Sequence, residues 1–134
     1  MTVAFRDLNE DHLELFDMTN DLHLAIEAVA ATGEIDKRKI ASTLDGLKKH
    51  TRSHCERGVL YFFQTGYPCP DSHRQEHIEL IEQISEMTAR FDKSTNAEDA
   101  IEILQSIHDC VAGHIYVTDW KQSSYFGAHR VLQA

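Results

Sequence analysis

The stretch SHRQEH sets His73 and His77 four residues apart. On a helix that spacing stacks two imidazoles on one face, about 6 Å apart along the axis, which suits them to share one metal ion. The pattern alone is weak, because paired histidines are common on solvated helix faces. Three further histidines fall on apolar stripes: His12, His54 between Leu47 and Tyr61, and His114 after Ile107 and Val111. Burying an imidazole without a partner is costly, so inward histidines from four segments call for something to bind, and a shared metal would supply it. Asp119 follows His114 by five residues, a rotation of roughly 140° off the same face, so periodicity does not select it. His50 shares the face of His54 one turn earlier and reads as a residue behind the site. His23 lies too far along the axis from His12 to share an ion, and His108 and His129 read as surface residues.

Four helices must position these groups. Apolar residues recur at three and four positions over about 9–32, 36–65, 72–92 and 95–118, followed by a short C-terminal segment. The stripes are Leu15, Met18, Leu22, Ile26 and Val29; Ile40, Leu44, Leu47, Thr51, His54, Gly58, Tyr61 and Phe62; His73, His77, Leu80, Ile84 and Met87; Ile101, Leu104, Ile107 and Val111. Asn9 and Asp36 are expected N-caps, Gly33 a stop, and Ser72/Gln75 and Thr95/Glu98 capping boxes. The segment TGYPCP must end the second helix. No useful strand alternation, repeat or low-complexity run intervenes. Long helices on short loops predict an all-α, up-down-up-down antiparallel four-helix bundle, a single domain over 1–134.

Composition narrows the function. With 13 basic and 22 acidic residues the net charge is −9, which argues against nucleic acid or an anionic membrane as partner. No apolar run reaches the roughly 20 residues of a membrane span, and the N-terminus carries no signal-peptide core, so the cytoplasm is the expected compartment. Cys55, Cys69 and Cys110 lack CxxC spacing and read as small buried hydrophobes rather than a disulfide or zinc–thiolate framework. No protein partner or signalling output is legible.

The order and spacing of DLNEDHLELF, HTRSHCERGVLYFFQTGYP, SHRQEH and HIYVTD resemble the bacterial hemerythrin family over almost the whole chain. The resemblance implies a four-helix bundle around a non-haem, oxo- or hydroxo-bridged di-iron centre that binds dioxygen reversibly. It implies that His73, His77 and His114 hold one iron, that His12 and His54 hold the iron with an open position, and that Asp119 bridges them.

Three departures matter. The family pattern places a second bridging Glu four residues after His54, where this chain has Gly58. Glu56 is no substitute, since two residues rotate it about 200° away. Cys110 stands where the family often has Trp, and the N-terminal arm before His12 is short. A mid-helix Gly costs about 1 kcal/mol relative to Ala. The gap is therefore either a defect, natural or engineered, or room for solvent or a small anion.

Two ferrous ions with one carboxylate instead of two would carry about +3 rather than +2, which disfavours the diferric state unless an anion binds. The second iron should be held more weakly. The leading expectation is an oxygen carrier, store or sensor input domain with a carboxylate-poor site. The alternatives are a non-haem iron enzyme acting on peroxide, nitric oxide or oxygen, and a metal-depleted interaction bundle.

Overall fold

A computed structural model describes residues 5–66 and 71–114. It contains four α-helices: α1 Phe5–Thr32, α2 Lys37–Thr65, α3 Asp71–Lys93 and α4 Ala97–Gly113. Each packs on its neighbours in sequence, and α4 closes back on α1. The result is the expected up-down-up-down bundle. No described helix is long and apolar enough to cross a membrane.

The expected stripes meet in one core. Leu22, Leu44, Leu47, Ile84, Phe91, Leu104, Ile107 and Val111 have essentially no solvent exposure. Met18, Met87 and Ile101 are only half-buried, while Ala100 and Ile103 take the inward places at the start of α4.

The helix ends partly depart from expectation. Asn9 is not an N-cap: α1 starts four residues earlier, because Leu8, one turn before His12, extends the buried stripe. Asp36 does cap α2, its carboxylate accepting from the Lys39 N–H at 3.2 Å. For α4 the cap is Asn96, whose Oδ1 accepts from the Asp99 N–H at 2.8 Å. Asn is a stronger N-cap than Thr, so the Thr95/Glu98 box gives way to the register one residue later. Ser72 lies inside the first turn of α3, and Gln75 donates to Glu79 at 3.3 Å instead of reaching back to a cap. Gly33 and Gly66 end α1 and α2 with φ of +71° and +77°, where a side chain would be strained.

Up-down topology brings the start of α1, the end of α2, the start of α3 and the end of α4 to one end of the bundle. His12, His54, His73, His77 and His114 all lie in those stretches. Leu15, Thr51, Leu80 and Val111, about one turn deeper on each helix, form a buried floor beneath them. At the opposite end Lys37 closes the bundle. Its ammonium donates to the Phe91 carbonyl and, at 3.0 Å, to Ser94 Oγ, and it sits 4.4 Å from the Phe91 ring centre.

Candidate metal centre

The helix periodicity that buries the apolar stripes carries the five imidazoles inward with them. All five are buried, at 4–9% exposure. Close ring contacts run through them in two sets, a pair and a trio. His12 and His54, from α1 and α2, are 4.7 Å apart between centroids. His73 and His77, one turn apart on α3, are separated by 4.2 Å, and His77 is 4.9 Å from His114 of α4. In these three contacts the rings meet edge to face rather than stacked. Asp119 lies outside the described residues.

Gly58 sits one turn beyond His54 and faces the other group. A Cβ built on it would lie 4.0 Å from His77 Cε1, an ordinary contact, with no other non-local atom within that distance. A side chain at position 58 would therefore start beside the His77 ring. Glu56 is exposed, as its angle on the helix requires, and cannot substitute.

One important residue is absent from the sequence reading. Asp11, adjacent to His12, is 5% exposed. Its Oδ2 lies 3.3 Å from His54 Nδ1, and its two oxygens accept from both the Nε (2.8 Å) and a terminal nitrogen of Arg57. Burial pushes the Asp11 carboxyl up, but the hydrogen bonds from His54 and Arg57 outweigh it and hold its pKa down to about 2. An ionised carboxylate only accepts, so His54 donates to it from Nδ1. Carboxylates commonly orient metal-binding imidazoles in this way. The signal lay in sequence as Asp11 with Arg57 three residues after His54, but it requires knowing that α1 and α2 are adjacent.

Cys55 is a small buried hydrophobe as expected, and it also borders two histidines. Its sulfur and one nitrogen each of His77 and His114 form a set within 4.8 Å of one another. Cys110 is half-buried on α4. Its thiol donates to Gln83 Oε1 at 2.9 Å, and burial raises its pKa. Cys69 and His129 lie outside the described residues.

The remaining histidines are peripheral. His50 pairs with Glu14 at 3.2 Å across α1 and α2, behind His54. His23 pairs with Glu27 at 3.0 Å, and His108 with Asp109 at 3.1 Å.

Aromatic side chains accompany the imidazoles. Phe62 is buried with its ring 5.7 Å from His73, Tyr61 is buried beside it in sequence, and Phe16 is half-buried. An open groove of about 560 Å³ runs between α2 and α3, and Cys55, Val59, His77, Ile78 and Ile81 are among the residues that line it. Comparison of the chain with protein-family models, curated proteins and solved structures finds no match.

Proposed function

We propose that this chain is a hemerythrin-type non-haem iron protein that binds dioxygen or a similar diatomic ligand at a carboxylate-poor centre. The observation that supports this reading is the burial of five imidazoles in ring contact, His12 with His54 and His77 with both His73 and His114, at one end of a four-helix bundle. The donor set fits iron: imidazole nitrogens suit the ferrous ion, and Asp11 holds the His54 ring through Nδ1. In this reading His73, His77 and His114 hold one iron, and His12 and His54 the other. Asp119, outside the described residues, would add a carboxylate donor. A ferrous pair would provide the electrons for reversible dioxygen binding.

The chain's own residues do the rest. Phe62, Tyr61 and the floor of Leu15, Leu80 and Val111 exclude bulk water, and the groove beside His77 offers a small apolar molecule a route inward. Gly58 leaves room for solvent or a small anion where a second carboxylate would sit, so the two-histidine position retains metal less firmly than the three-histidine one.

Anaerobic titration with Fe(II), followed by admission and removal of dioxygen, tests the proposal. The expected result is two unequal binding steps, both dependent on the buried histidines, and a visible absorption band that appears with dioxygen and reverses. Iron uptake unaffected by His77→Ala and His12→Ala would overturn it. Turnover of peroxide or nitric oxide well above free iron would instead make the same site an enzyme.

A further inference from the structure

We infer that Cys55 is a thiolate ligand to the metal held by His77 and His114, and that it supplies the negative charge missing at Gly58. This inference rests on the reading of the histidine cluster as a metal centre and names one more donor for it.

Three observations converge. First, the Cys55 sulfur and a nitrogen of each of His77 and His114 already lie within 4.8 Å of one another, and all three residues are buried. In a four-coordinate site with metal–sulfur and metal–nitrogen distances of about 2.3 and 2.1 Å, neighbouring donors are about 3.3–3.6 Å apart. The three groups need to draw together by roughly 1 Å, which rotation of two imidazoles and one thiol can provide. They come from α2, α3 and α4, so closure tightens existing helix contacts and unfolds nothing.

Second, Cys55 and Gly58 are one helical turn apart and border the same space. The Cβ direction of Gly58 points at the His77 ring, and the Cys55 sulfur lies beside that residue. Apart from His77 Cε1, no non-local atom lies within 4 Å of that Cβ position, so the sulfur has room to move toward the rings.

Third, the charge balances. On binding, the thiol gives its proton to solvent and its sulfur donates an electron pair to the metal: Cys–SH and M²⁺ become Cys–S–M⁺ and H⁺. Two divalent ions with Asp119 alone carry about +3; with the thiolate they carry about +2, the figure that a second carboxylate would give. A thiolate also shifts the metal preference. With Cys55 added to His73, His77 and His114 the donors become His₃Cys, which favours thiophilic ions, so the trio position should take Zn(II) or Co(II) in competition with Fe(II).

Cobalt reports on this directly, because thiolate-to-Co(II) charge transfer gives a near-ultraviolet band that imidazole and carboxylate donors do not. The full chain is loaded with CoCl₂ as wild type, Cys55→Ser, Cys55→Ala, a Cys69→Ala/Cys110→Ala double variant, and His77→Ala. Far-ultraviolet circular dichroism checks that each retains its helices. The expected result is a charge-transfer band in wild type and in the double variant. Cys55→Ser and Cys55→Ala should lose the band yet still bind cobalt through histidine, at least about tenfold more weakly. If cobalt binds in a His77-dependent way with no thiolate band, or Cys55→Ala leaves spectrum and affinity unchanged, the thiolate inference is wrong while the histidine centre stands. If no variant, wild type included, binds cobalt through His77, both fail.

Discussion

Restoring a side chain at Gly58 separates its backbone cost from its chemical role. A Cβ there makes one ordinary contact, 4.0 Å from His77 Cε1, and the backbone is helical, so neither Gly58→Ala nor Gly58→Glu need disturb the helix. Alanine recovers the helical propensity that glycine lacks, about 1 kcal/mol, or roughly 3–5 °C in Tm for a chain of this length. In the metal-free protein glutamate should gain less than alanine, since its carboxylate enters a half-buried position beside the His77 ring. With iron the order inverts. A carboxylate that joins the metal should tighten binding at least about tenfold, worth about 1.4 kcal/mol of added metal-dependent stabilisation. Calorimetric melting of wild type, Gly58→Ala and Gly58→Glu, each with and without saturating Fe(II), gives the double difference. Binding titrations then give the affinity ratio. If iron stabilises the two variants equally, a carboxylate at position 58 does not reach the metal, and the placement of that position beside the His77 ring has been misread.

Further outcomes follow from the groups around the site. Asp11→Asn should weaken metal binding at the His12/His54 position by about 10–100-fold, read by titration, because His54 loses the carboxylate that holds its ring through Nδ1. The same variant should lower stability by about 1–3 kcal/mol in chemical denaturation, since Arg57 loses its ion pair and one of the two oxygens it donates to. In the metal-free protein the Asp11 contribution is fully present above its unfolded pKa of 3.8 and is lost as pH falls toward its folded value of about 2. That contribution is at most about 2 kcal/mol, reduced by solvent around the Arg57 end, so the Tm gap between wild type and Asp11→Asn should narrow over this window. Leu104→Ala, deep in the core away from the histidines, should cost about 2–5 kcal/mol in denaturant melts without changing the stoichiometry of bound metal.

Much of the architecture was legible because one periodicity governs it. Residues at three- and four-position spacing that bury Leu22, Leu44, Ile84 and Leu104 also carry His12, His54, His73, His77 and His114 inward, so the sequence located the histidines and the core together. Helix ends were less legible. Local competition decided them: Asn96 displaced Thr95 as a cap, and burial of Leu8 drew α1 past Asn9. The hidden part of the site was everything that depends on which helices are neighbours. Asp11 is an unremarkable acid in sequence until α1 lies against α2 and places it between His54 and Arg57. Cys55 reads as a small apolar residue until α2, α3 and α4 meet and set its sulfur beside His77 and His114.

The central claim is that the buried imidazoles converge on metal. Crystals of the chain grown anaerobically with Fe(II) and measured on both sides of the iron absorption edge test it most directly. The account predicts anomalous density at two positions, the stronger bounded by the rings of His73, His77 and His114, the weaker by those of His12 and His54. Anomalous density confined to surface carboxylates, with none between the five rings, would contradict it.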